Sequence, residues 1–214
     1  MKNIDNKYYQ IARGDISRLV PYECKTILEI GCGFGALGEI LKSRDGVVVD
    51  GIEINQNAPQ FLLKNYRQFW IGSVENLILP NHLEYYDCII FPDVLEHLID
   101  PWAVFATYLE YLKPGGFVVA SIPNIRNLAI IIRLVVSGRW DYQGAGILDK
   151  THLRFFTRKS ITEMFEHEDL KIEKIHVNKD NFSWLKKLLT ALPNAIIPDL
   201  GVCQFLVVAK KDQK

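Results

Sequence analysis

Short apolar runs alternate with segments of helical periodicity along the first 122 residues of this 214-residue chain. Thr26-Ile27-Leu28-Glu29-Ile30 is apolar and ends at a glycine, the form of a strand buried on both faces. Ala36 to Ser43 then carries Leu37, Ile40 and Leu41 at helical spacing. Val47 to Glu53 reads as a second strand, Gln56 to Tyr66 as a helix, and Phe69 to Gly72 as a short third strand. Tyr86 to Phe91 makes a fourth strand, stopped by Pro92. Trp102 to Leu112 is helical, with Pro101 suited to its first turn. Lys113-Pro114-Gly115-Gly116 reads as a tight turn into a fifth strand, Phe117 to Ile122. Such alternation predicts an α/β fold with a parallel sheet covered by helices on both faces.

The rhythm breaks after Pro123. Residues of about 124–157 hold an apolar stretch and a Gly-rich segment, and read as an insertion over the active face. Regularity resumes with a helix, Arg158 to His167, and a strand, Lys171 to Val177. An irregular or helical patch, Phe182 to Leu192, precedes the last strand, Cys203 to Ala209. Two closing strands without a crossover predict an antiparallel finish. The expectation is one domain over residues 1–214, with a lid or acceptor-site insertion at about 124–157 and a second at about 180–200.

Composition narrows the function classes. Hydrophobic residues make up 49% of the chain, enough for a large core. Lys plus Arg equals Asp plus Glu at 25 each, so no global charge favours nucleic acid or an anionic membrane. The cysteines at 24, 32, 88 and 203 form no C-x-x-C pair, and no paired-histidine spacing occurs. Neither a metal site nor a disulfide framework is therefore expected. Met1 to Asn6 lacks the apolar core of a signal peptide. The longest apolar run, Leu128 to Val136, is interrupted by Arg133 and is too short to span a bilayer. A cytoplasmic protein, at most resting on a membrane surface, is expected.

Glycines 31, 33 and 35 follow the first strand and lead into a helix. Without Cβ atoms the backbone can bend sharply and lie against a ligand, with helix-start amides facing its negative charge. Glu29 lies before the bend, where a carboxylate can hold a cationic amine, and Glu53 ends the next strand, where one can accept ribose hydroxyls. Gly33-Phe34-Gly35-Ala36-Leu37-Gly38 also fits the G-x-G-x-x-G of dinucleotide oxidoreductases using NAD(P). Register opposes that reading, because Gly31 and Cys32 intervene between the strand and the first glycine. A plain tight turn and a solvated strand end are the structural alternatives for these residues.

Several segments together resemble the class I S-adenosylmethionine (SAM)-dependent methyltransferases. Ile27 to Gly35 is similar to the family's first motif, Gly51-Ile52-Glu53-Ile54-Asn55 to its ribose-acid motif, and Tyr86 to Ile90 with Asp93 to Leu98 to its fourth-strand motif. Leu112 to Gly116 resembles the turn before its fifth strand. The resemblance implies a Rossmann-like, seven-stranded, mostly parallel sheet in the order 3-2-1-4-5-7-6. It implies SAM as cofactor, S-adenosylhomocysteine as product, and adenine near Gly72-Ser73-Val74-Glu75. Family members often carry Asp where Ser73 stands, so Ser73 and Glu75 both remain adenine readers. The cofactor set is then Glu29, Gly31, Cys32, Gly33, Gly35, Glu53, Ile54, Ser73, Val74, Glu75 and Asp93. Segments 122–127, 138–142 and 148–157 further resemble a bacterial subgroup that often accompanies glycosyltransferases in cell-surface polysaccharide pathways.

Methyl transfer from a sulfonium needs acceptor, methyl carbon and sulfur in line, so the protein mainly orients and excludes water. A hydroxyl acceptor also loses a proton, which a base assists. His97, just beyond the fourth strand, and His152, in the insertion, are the candidate catalytic residues. Packing and bracing roles are the alternatives for both, and for Arg154. The expected acceptor is a small molecule or glycan, methylated on oxygen, with lipid-linked or peripheral membrane contact through Leu128 to Val136 and Trp184 to Ile197. A lid explains those two segments equally well. A non-catalytic SAM-binding partner protein is the second functional reading.

Overall fold

The computed structural model describes residues 13–179 and 199–213. Five strands run parallel: β1 (Thr26–Ile30), β2 (Val48–Glu53), β3 (Gln68–Ile71), β4 (Tyr86–Pro92) and β5 (Leu112–Pro123). β6 (Leu170–Lys179) and β7 (Val202–Lys211) complete the sheet, with β7 antiparallel to both its neighbours. The order is β3-β2-β1-β4-β5-β7-β6, as the resemblance implied.

Apolar residues at alternate strand positions feed two cores, one on each face. Ile27 of β1 joins Cys88 and Ile90 of β4 on one face; Leu28 and Ile30 join Ile89 and Phe91 on the other. Each fully buried Leu, Ile or Phe contributes about 1.5–3 kcal/mol, which makes the central strands a rigid platform. The strand ends at one edge of that platform carry the site.

Local sequence sets the helices. α1 (Gly14–Ser17) and α2 (Ala36–Lys42) lie on the face of Ile27. α3 (Pro59–Leu62) is shorter than the predicted Gln56–Tyr66 helix, because Pro59 takes a first-turn position and Asn55 folds a turn ahead of it by accepting from Asn57 N–H. α4 (Pro101–Leu109) starts on Asp100, whose side chain accepts from Ala103 N–H. It ends before the predicted Leu112, which already pairs with Tyr86 as the first residue of β5. The predicted turn over Lys113–Gly116 is a bulge inside β5: pairing jumps from Tyr86–Leu112 to Cys88–Phe117, and Gly115 takes φ 75°.

Residues 124–157 leave the sheet and return to it. Asn127 caps α5 (Leu128–Ser137), a helix not foreseen from the sequence, and Gly138 ends it in the left-handed region. Asn124 anchors the departure by donating to the carbonyls of Asp199 and Val202, and Ile125 N–H bonds Phe156 O at the return. α6 (Arg158–His167) then opens on a Thr157–Ser160 capping box. The second expected insertion lies almost entirely outside the described residues. Among the described residues no helix is long and apolar enough to cross a membrane.

Candidate functional site

The glycine bend follows β1 directly. Gly31, Gly33 and Gly35 take φ values of 72°, 55° and 86°, which side chains would strain. A Cβ on Gly31 would also stand 2.5 Å from Val94. The N–H groups of Gly31 and Cys32 donate to Ile52 O of β2, at 2.8 and 3.0 Å, and fix the bend against the neighbouring strand end. Glu53 closes the arrangement. Its carboxylate accepts Gly33 N–H at 2.7 Å and Asn55 N–H at 2.8 Å.

The structure thus brings Glu53 and the glycine loop together at the carboxyl ends of adjacent strands. Cys32 lies in the loop, but its side chain points into the core, so it can serve a ligand only through its main chain. Ile54 is exposed beside Glu53. Gly72 N–H donates to Glu53 O, which brings Ser73, Val74 and Glu75 next to the same strand end. Ser73 Oγ accepts from Glu75 N–H at 3.3 Å, and the Glu75 carboxylate accepts from Ile99 and Asp100 N–H.

Glu29 sits beneath the bend and is only 2% exposed. It accepts a 2.7 Å hydrogen bond from Tyr66 Oη. Burial pushes its carboxyl up to about 8; the Tyr66 bond opposes that shift and the charge of Glu53 adds to it. Tyr66 fits only because Gly38 and Gly51 lack side chains: a Cβ would meet it at 2.3 and 2.9 Å.

Asp93 stands apart from this group. It follows β4 at φ 56°, a strained value for a non-glycine residue. Its carboxylate accepts Ser121 Oγ at 2.8 Å and bonds the Gln204 amide and the Arg13 guanidinium. Asp93 is also on the wall of a cavity of about 530 Å³, together with Glu96, His97, Asp149, His152 and Gln204. His97 and His152, predicted from distant segments, meet there with ring centroids 4.7 Å apart. Each ring nitrogen Nδ1 faces a main-chain carbonyl, of Thr151 for His97 (3.2 Å) and of Ile147 for His152 (2.9 Å). A carbonyl only accepts, so each ring carries a proton on Nδ1, and its neutral form keeps the lone pair on Nε2. Burial, and then the charge of His152, lower the pKa of His97. Burial pushes Glu96 up to about 8.

A family profile described as a methyltransferase domain matches residues 6–175. The chain belongs to the methyltransferase domain family. Among curated relatives, it is 25% identical over 151 residues to a ubiquinone biosynthesis O-methyltransferase of Shewanella sp. (strain ANA-3), covering 68% of this chain and 63% of that one. It is 33% identical over 135 residues to a protein of that name from Xylella fastidiosa (strain 9a5c), covering 58% and 52%. The chain therefore spans between half and two thirds of the length of these relatives. A SAM-dependent methyltransferase from Archaeoglobus fulgidus shares the fold, with a TM-score of 0.63 at 20% identity over 97% of this chain and 95% of that one. A SAM-dependent methyltransferase from Methanosarcina mazei shares it too, with a TM-score of 0.64 at 17% identity over 94% of this chain and 98% of that one.

Three features of this methyltransferase domain escaped the sequence reading. The Tyr66–Glu29 bond is one; Gly38, read only within the G-x-G-x-x-G fit, and Gly51, read only within the ribose-acid motif, are its signal. The Arg13, Ser121 and Gln204 partners of Asp93 come from three distant segments and leave no local signature. Asp149, whose side chain accepts from Thr151 N–H and Oγ1, belongs to a D-x-T turn that its sequence does show.

Proposed function

We propose that this domain transfers the methyl group of SAM to a hydroxyl oxygen of a small-molecule or glycan acceptor held in the cavity of His97 and His152. One observation carries the reading: the glycine bend and Glu53 are bonded together at adjacent strand ends, and Asp93, just after β4, is on the wall of the cavity. In this reading Gly31, Cys32, Gly33 and Gly35 offer main chain to the cofactor, with Glu29 supporting them from below. Glu53 takes the ribose and Ile54, Ser73, Val74 and Glu75 flank adenine. Asp93 faces the end of the cofactor that carries the methyl group.

His97 or His152, each with an Nε2 lone pair, accepts the acceptor's proton as the new C–O bond forms. The names of the two curated relatives described above, both O-methyltransferases, support oxygen as the methylated atom. The motifs at 122–127, 138–142 and 148–157 support an acceptor from cell-surface polysaccharide synthesis, free or lipid-linked, reached from the cytoplasm.

Isothermal calorimetry should show SAM binding with a micromolar dissociation constant, in the range usual for enzyme substrates. Gly33→Asp or Glu53→Ala should abolish it. Tritiated-methyl transfer to a panel of sugar and aromatic hydroxyl acceptors then reads the reaction. Absence of any SAM binding by the folded wild-type protein overturns the proposal.

A further inference from the structure

Glu96 is unusual among the acidic residues of this chain. It lies in a single 3-10 turn, Leu95–His97, just after β4, and its side chain is 1% exposed. Neither carboxylate oxygen has a hydrogen-bond partner among the described residues. Buried carboxylates are ordinarily paired or bound to a metal ion, and an orphaned one requires an explanation. Arg13 does not supply the pairing: its guanidinium bonds Asp15, Asp93 and Ser121.

A carboxylate oxygen of Glu96 and a ring nitrogen each of His97 and His152 lie within 4.8 Å of one another. The carbonyls of Thr151 and Ile147 hold the Nδ1 protons, which makes the Nε2 of each neutral imidazole the nitrogen available for ligation. The two segments are also fastened together. Leu153 and Arg154 N–H donate to Glu96 O at 2.8 and 3.0 Å, which pins the insertion to the turn.

We propose that Glu96, His97 and His152 bind one divalent transition-metal ion of the zinc class, with one coordination position open to the cavity for the acceptor's hydroxyl oxygen. Two imidazoles and one carboxylate are a donor set for such ions, and three protein ligands leave the fourth position for a substrate or water. Donor distances of about 2.0–2.2 Å put tetrahedral ligands about 3.3–3.6 Å apart, so binding contracts the cluster by about 1 Å. Asp93 is not a ligand, because Ser121, Gln204 and Arg13 already hold its oxygens. The C-x-x-C and paired-histidine spacings miss this site because its ligands come from two segments that meet only in the fold.

The inference rests on the proposed O-methyl transfer for its role. A hydroxyl bound to the ion releases its proton to solvent, and its oxygen forms the C–O bond as the S–CH₃ bond breaks. The sulfur keeps the bonding pair, so the products are the methyl ether, S-adenosylhomocysteine and one proton. The ion takes over the task otherwise given to a histidine base.

The test is titration of chelator-stripped protein with cobalt(II), followed by the visible d–d absorption of the bound ion and by its displacement with zinc. The wild type should bind one equivalent and gain thermal stability with zinc. Glu96→Gln and His152→Ala should each weaken binding by at least roughly 100-fold and lose the zinc-dependent gain, while His176→Ala retains both. His97→Asn serves in place of a variant that circular dichroism shows to be unfolded. Absence of stoichiometric binding by the wild type, or undiminished binding by the folded variants, overturns the inference. SAM calorimetry on the same samples separates the two proposals: SAM binding without metal binding refutes only the metal site, and failure to bind SAM refutes the reading beneath it.

Discussion

Substitution of Glu29 by Gln should change how the stability of the ligand-free protein responds to pH, and the structure fixes the sign. Burial disfavours the charge of the folded carboxyl and pushes it up to about 8, from an ordinary value of 4.5. Between those values the native state holds one proton more than the unfolded chain. A raised pKa contributes its stability below the unfolded value and loses it as pH rises through the folded one. One proton corresponds to about 1.4 kcal/mol of unfolding free energy per pH unit, lost as pH rises across that window. Urea denaturation of wild type and Glu29→Gln from pH 5 to pH 9 isolates the effect, since groups that do not interact with Glu29 cancel in the difference. The wild type should lose stability relative to the variant up to about pH 8 and no further above it. Tyr66→Phe adds a second reading. It removes a neutral hydrogen bond at pH 6, worth about 1 kcal/mol, and a charge-assisted one at pH 9, worth about 1.5–3 kcal/mol. A flat difference between wild type and Glu29→Gln across pH 5–8 refutes the burial argument.

Gly38→Ala places a Cβ 2.3 Å from the Tyr66 ring and hydroxyl, and should cost about 1–3 kcal/mol, read as a lowered melting temperature. In a Tyr66→Ala background the same substitution should cost little. Asn127→Ala removes the cap of α5 and a 3.2 Å bond to Val202 O, and should cost about 1–3 kcal/mol, with faster amide exchange in α5. Asp87 opposes its partial burial with bonds from Lys113, Thr26 and Lys25, which bring its carboxyl down to about 2. Its contribution is present above the unfolded value of 3.8 and is lost as pH falls toward 2, so Asp87→Asn should lower stability at pH 7 and flatten the acid limb of the melting curve.

The sheet was legible because each strand announces itself twice, by its apolar run and by the residue that ends it. Ile30 before Gly31 and the β-branched run before Glu53 leave little choice of boundary, while the strand order came from the family resemblance and not from the strands themselves. Helix lengths were less legible, since local periodicity over Gln56–Tyr66 does not show that Asn55 and Pro59 divide the segment. The glycine bend after β1 was readable because glycine and acid positions there answer to backbone geometry within one turn. The grouping of His97 with His152 and Glu96 was not. Main-chain bonds from the insertion to Glu96 O bring these residues together, and no periodicity encodes such a contact. The partners of Asp93 illustrate the same limit, with Gln204 arriving from the far end of the chain.

The place of β7 has a consequence for biosynthesis. Residues 202–211 lie between β5 and β6, so the strand that follows both of them in sequence is a keystone and not a border. Until it emerges, β5 presents a bare row of amides and carbonyls, and β6 has no neighbour to zip against. A chain lacking residues 202–211 is thus a half-built sheet with a sticky rim, and the delay before they join the sheet sets how long that rim is open to other chains.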